Sequence, residues 1–147
     1  MLVHDPLIQE HAVIRRLAGE LWDGDDKDMD TIVQRLARFQ KLVMNHFACE
    51  DAYYAVVDAG KRFPDRHLIH DLRNDHAAVV FSLESLSIRL KKNGATPEWK
   101  TKLNNMLNVL LPHLDREEQA LFPEGTRRLT NDELSAVADR MKSMIER

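Results

Sequence analysis

Apolar residues recur at steps of three and four along nearly the whole chain, and they nowhere alternate with polar residues over a strand length. That period belongs to amphipathic helices. It confines a chain of 147 residues with only five Gly and five Pro to an all-α fold. Asp5-Pro6 opens the first helix as a cap followed by proline in the first turn. Its stripe is Leu7, Ile8, Ile14, Leu17, Leu21 and Trp22, and the acidic run Asp23 to Asp30 breaks it. A long second helix carries Ile32, Val33, Leu36, Phe39, Val43, Phe47, Tyr54 and Val57, with Gly60 at its end. A loop with Phe63-Pro64 and a cap at Asp65 lead to a third helix with Leu68, Leu72, Val79, Leu83, Leu86 and Leu90, closed by Gly94. Thr96-Pro97-Glu98 opens a fourth helix with Leu103, Met106, Leu110, Leu114 and Leu121; Pro112 is expected to disturb it and Pro123 to end it. Thr130-Asn131-Asp132-Glu133 reads as a capping box for a short fifth helix with Leu134, Val137, Met141 and Ile145.

Four main helices joined by short loops predict an antiparallel up-down-up-down four-helix bundle over residues 5–123, with a C-terminal helix over 131–146. The whole of 1–147 reads as one domain.

The composition excludes several functions. A net charge of −3 offers no surface for nucleic acid. No apolar run is long enough to span a membrane, and the start, MLVHDPLIQEH, lacks the basic and apolar regions of a secretory signal. The single Cys49 excludes a multi-thiolate zinc site and reads as a small buried hydrophobe. A cytoplasmic protein is the expectation. Asp23 to Asp30 lacks the Gly and Glu of a calcium-binding EF-hand loop and reads as solvated. The anomaly is the count of seven histidines.

Four of the seven fall on the core stripes. His11 lies among Leu7, Ile14 and Leu21; His46 among Phe39, Val43, Tyr54 and Val57; His76 among Leu72, Val79 and Leu83; His113 among Met106, Leu110 and Leu121. His46 and His113 are each followed four residues later by a glutamate, Glu50 and Glu117. Four residues turn a helix by about 400°, so each pair shares one face, one turn apart. The halves echo each other, with 35 residues from His11 to His46 and 37 from His76 to His113.

Six such groups in an apolar interior are costly unless paired or bound to metal. Four imidazoles and two carboxylates without thiolates suit iron, manganese or zinc. Glu50 and Glu117 can each bridge two ions while the histidines cap them two by two, which favours a dinuclear site. Tyr54, one turn after Glu50, is expected to border it. His4, His67 and His70 read as surface residues.

The sequence resembles the hemerythrin-like, or HHE cation-binding, family over roughly residues 4 to 125. The matching pieces are Glu10-His11 with Ile14-Arg15, His46-Phe47 with Glu50-Asp51, Asp75-His76, and His113-Leu114 with Glu117-Glu118 followed by Leu121-Phe122-Pro123. The resemblance implies a four-helix bundle with two iron ions joined by an oxo or hydroxo group. It differs from oxygen-carrying hemerythrins at Leu72, where those carry a further histidine. An open position on the metals then follows. The resemblance thereby implies a site that binds or senses dioxygen, nitric oxide or peroxide, or handles iron, with an unidentified protein partner for any signalling output. The alternative is a di-iron enzyme with peroxidase-, catalase- or ferroxidase-like turnover. Relatives that repair iron–sulfur centres carry an additional N-terminal domain with paired cysteines, for which this chain has no counterpart.

Overall fold

The structure, a computed structural model, describes residues 5–23, 28–60 and 66–145. The elements in order are α1 (Asp5–Trp22), α2 (Met29–Gly60), α3 (Arg66–Asn93), α4 (Pro97–Arg116), a π-helical turn (Glu117–Leu121), α5 (Phe122–Arg128) and α6 (Asn131–Ile145). Consecutive long helices pack side by side, α4 closes the ring onto α1, and α6 lies against α2. This is the all-α bundle with a short C-terminal helix that the period predicts. No described helix is long and apolar enough to cross a membrane.

Local signals in the sequence act as read. Thr96 Oγ1 accepts from the Trp99 amide at 3.1 Å to cap α4. Gly94 ends α3 with φ +83°, a left-handed conformation that glycine adopts without a Cβ penalty. At α6 the capping box is reciprocal: the Thr130 amide donates to Glu133 Oε1 at 2.9 Å, and the Glu133 amide to Thr130 Oγ1 at 3.1 Å. The expected loop at Phe63-Pro64 with its Asp65 cap, the middle of the acidic run, His4, and the last residue of the C-terminal helix lie outside the described residues. Asp5 is the first residue of α1, and its side chain is likewise outside them.

Two expectations are corrected. Ile8 and Trp22 sit outside the core, 38% and 45% exposed. Each follows a buried leucine by one residue, and one residue turns the helix by about 100°, away from the buried stripe. Pro123 does not end the helical path. After Arg116 the helix widens into the π turn, where the Phe122 amide donates to the Glu117 carbonyl, and α5 then starts with Pro123 in its first turn. There a missing amide hydrogen costs nothing. Pro112 stays inside α4 without ending it.

The core is divided. One apolar cluster holds Ile14, Leu17, Phe39, Val43, Val79, Leu83, Leu110 and Leu114 among others. A second holds Leu7, Tyr53, Tyr54, Ile69, Leu72, Leu121, Phe122, Val137 and Met141. On every long helix the candidate ligands fall between residues of the two clusters: His11 between Leu7 and Ile14, His76 between Leu72 and Val79. The bundle is an apolar plug at each end of a polar layer.

Replacing Leu110, fully buried, with Ala is expected to cost about 2–5 kcal/mol through lost burial and a residual cavity. Phe81→Ser, at a side chain 74% exposed, is expected to stay within about 0.5 kcal/mol. Urea unfolding midpoints at fixed metal content measure both.

Candidate metal centre

The six polar residues that the stripes bury are brought together at the middle of the bundle. His11, His46, Glu50, His113 and Glu117 have no solvent exposure and His76 has 6%. They form two overlapping groups: His11, His46, Glu50 and Glu117, and Glu50, His76, His113 and Glu117. Within each, the potential ligand atoms lie within 4.8 Å of one another. Each group has two imidazoles, and both share the two carboxylates.

Glu50 spans the groups through its two oxygens. Oε2 faces His46 Nε2 at 3.0 Å and His11 Nε2 at 3.4 Å, and Oε1 faces His76 Nε2 at 3.0 Å and His113 Nε2 at 3.5 Å. Glu117 spans them through one oxygen. Its Oε1 lies 3.4 Å from His11 Nε2 and 3.2 Å from His113 Nε2. The Tyr54 hydroxyl donates to Glu117 Oε2 at 2.5 Å and lies 3.3 Å from His76 Nε2. Tyr54 thus borders the second group. Leu72, where a further histidine distinguishes oxygen carriers, is fully buried in the apolar cluster beside Tyr54. His67 and His70 are exposed and take no part.

An outer set of carboxylates surrounds this centre, and reading the stripes alone misses it. His46 Nδ1 donates to Glu10 at 3.2 Å, His76 Nδ1 to Asp51 at 3.0 Å, and His113 Nδ1 to Asp75 at 3.1 Å. An imidazole that donates through Nδ1–H presents the Nε2 lone pair on its other side. Here that side is the centre. The signal in the sequence is adjacency: Glu10 precedes His11, Asp51 follows Glu50, Asp75 precedes His76 and Glu118 follows Glu117. Each acidic neighbour turns about 100° away from the inner face; Glu10, Asp51 and Asp75 meet a histidine of an adjacent helix, and Glu118 meets Arg15.

The geometry fits a cation. His76 Nε2 and His113 Nε2 are 3.2 Å apart, and both rings already donate outward through Nδ1. Two neutral rings so arranged turn lone pairs toward each other, which calls for a proton or a metal ion between them. His46 Nε2 and Glu117 Oε1, both buried, face Glu50 and His113 at 3.0 and 3.2 Å but without hydrogen-bond geometry among the described residues. Such atoms are costly unless another ligand completes them. Nitrogen and oxygen donors together suit iron, manganese or zinc.

The charges respond to one another. Burial pulls the His46 imidazole down, but Glu50, Glu10 and Glu117 outweigh it and raise it to about 10. Burial likewise opposes His113, and Glu117 and Glu50 raise it to about 10. Burial works against ionised Glu50, yet the His46 charge and surrounding hydrogen bonds hold it well below the ordinary carboxylate range. Glu117 is pushed up by burial and by Glu50. Burial and Glu50 push the Tyr54 phenol far up, so it remains a hydrogen-bond donor. Cys49, buried near Glu10 and Glu50, is pushed up to about 11 and carries no reactive thiolate at neutral pH.

The family model of the hemerythrin HHE cation-binding domain matches residues 3–124. Comparison with curated proteins and with solved structures returned no match. The match covers all four long helices and every residue of the buried polar layer. The chain belongs to the hemerythrin HHE cation-binding family.

Proposed function

We propose that the chain is a di-iron protein that binds or senses a small ligand, dioxygen, nitric oxide or peroxide, or holds iron. His11 and His46 would hold one ion and His76 and His113 the other. Glu50 and Glu117, which belong to both groups, would be shared by the two ions, and an oxo or hydroxo group is the further ligand that the family resemblance implies. The observation that carries this is the sharing of both buried carboxylates by two histidine pairs. When bound, the irons supply Lewis acidity and reversible redox chemistry. The chain's own residues do the rest. Glu10, Asp51 and Asp75 orient imidazoles, Tyr54 holds Glu117 in place by donating to it, and the two apolar clusters keep water out.

Access is from the α2–α3 face. A groove of about 590 Å³ there has apolar walls that include Phe47, Ala77 and Phe81, carries the charged Asp51, Arg73 and Glu84, and reaches His76. Its mostly apolar walls suit a small neutral molecule. The second reading, peroxide turnover, draws on Tyr54: an oxidisable phenol beside Glu117 and His76. If iron-loaded protein consumes peroxide faster than free iron, and Tyr54→Phe does not, that reading gains over simple binding.

Elemental analysis of protein purified without chelator tests the main reading. Wild type is expected to hold two metals per chain. Glu50→Ala or Glu117→Ala is expected to lose more metal than any single change of His11, His46, His76 or His113, because a bridge serves both ions. Fewer than one metal per chain in wild type contradicts the reading.

Metal must displace protons from the raised imidazoles, so loading at neutral pH is expected to release protons, seen as calorimetric heats that vary with buffer ionisation. In metal-free protein the protonated His46 and His113 contribute stability that is full below about 6.5 and lost as pH rises toward about 10. Its melting temperature is expected to fall over that window, and that of loaded protein is not.

Narrowing the groove with Ala77→Phe is expected to slow nitric oxide binding to iron(II)-loaded protein without changing metal content. Equal rates sink the α2–α3 route.

A further inference from the structure

Among the described residues, three of the four imidazoles are braced from outside and the fourth is not. His76 and His113 donate through Nδ1 to Asp51 and Asp75 at 3.0 Å and 3.1 Å, and His46 to Glu10 at 3.2 Å. By position the brace for His11 is Glu118, which follows Glu117 on the neighbouring helix. Glu118 Oε2 is 3.7 Å from His11 Nδ1, beyond hydrogen-bond reach, and His11 Nδ1 is buried without a hydrogen-bond partner among the described residues. Arg15, one turn after His11 on α1, is what engages Glu118. Its guanidinium donates to both carboxylate oxygens of Glu118 and, at 2.8 Å, to Asp115.

We propose that the two halves of the centre load with metal unequally and in order, the His76/His113 half first. Arg15 is the positioning residue that sets the weaker half, by drawing Glu118 away from His11. The inference rests on the metal-centre reading above and goes beyond it.

The physical reason is the work an outer carboxylate does for a histidine ligand. A hydrogen bond at Nδ1 fixes the tautomer, fixes the ring's orientation and raises the basicity of Nε2; its loss lowers metal affinity by roughly 10- to 100-fold. The His76/His113 half has two braced rings, and the Tyr54 hydroxyl also holds Glu117 on that side. The His11/His46 half has one. In that half the His11 ring is steadied by stacking on Phe122, at 5.9 Å between centroids, which orients it without choosing its tautomer. Arg15 is a side chain about a third exposed, so the brake on the second ion sits at the surface and is adjustable without touching a ligand.

Anaerobic titration of the full, metal-free chain with Co(II), followed by visible absorption and calorimetry, tests this. Wild type is expected to take up two ions in two resolved steps. Asp75→Asn is expected to weaken the first step by roughly 10- to 100-fold, with Asp75→Glu restoring most of it. Arg15→Gln is expected to leave the first step alone and tighten the second by about tenfold, as Glu118 turns to His11. That gain is expected to vanish in a Glu118→Ala background, which offers His11 no acceptor. If Arg15→Gln tightens the second step equally there, the removed charge and not the brace is responsible, and the proposal is overturned. Two steps of equal affinity in wild type also overturn it while sparing the metal-centre reading. No Co(II) uptake at all brings down both. Melting temperatures of the metal-free variants separate these step-specific changes from loss of structure.

Discussion

The structure depends on a layer of four imidazoles and two carboxylates closed off from water in the middle of an apolar bundle. Unpaired, each such group carries a desolvation cost that an apolar residue of similar size avoids. Here every one of them faces another of the set at hydrogen-bonding or ion-pairing distance. The layer therefore does not add stability so much as restrict it. Any slip of one helix against its neighbour by a turn would put Glu50 or Glu117 against leucine. The apolar clusters on either side supply the burial that holds the helices together; the polar layer between them fixes their register. A bound cation would make this arrangement favourable by taking the place of the protons that the inward-facing imidazoles otherwise hold against the carboxylates.

Around this layer the chain uses adjacency twice. A residue that faces the centre has an acidic neighbour in sequence, and that neighbour serves a histidine on another helix: Glu10 of α1 serves His46 of α2, Asp51 of α2 serves His76 of α3, and Asp75 of α3 serves His113 of α4. Each helix thus braces the next, in the order in which the helices pack. The series stops at Glu118, which Arg15 holds. The centre is symmetric in its inner residues and asymmetric in its outer ones.

Much of this was legible in the sequence because a helix converts spacing into direction. The stripes place His46 with Glu50 and His113 with Glu117 on inner faces, and the same logic locates most of the buried leucines of the four long helices, missing Leu107. It failed where direction depends on something other than spacing. Ile8 and Trp22 lie one residue beyond the stripe, and an apolar side chain does not by itself reveal which side of that line it falls on. Trp99 escaped the stripe for α4, though it is buried at the helix start with its indole N–H on the Leu86 carbonyl at 2.9 Å. Pro123 signals a stop only for an α-helical path; the π turn at Glu117–Leu121 resets the register and lets proline open a new helix. The acidic neighbours stand in the sequence as part of the family motif, but their roles come from which helix lies beside which. Tyr54 was legible as a neighbour of the site and not as the donor to Glu117, a residue 63 positions away.

The sharing of Glu50 and Glu117 between two ions is the central claim, and X-ray absorption at the iron edge of iron-loaded protein tests it most directly. A dinuclear centre gives an iron–iron scattering path within about 4 Å and nitrogen and oxygen neighbours averaging two imidazoles per iron. A spectrum with no iron–iron path, or with sulfur in the first coordination sphere, contradicts it.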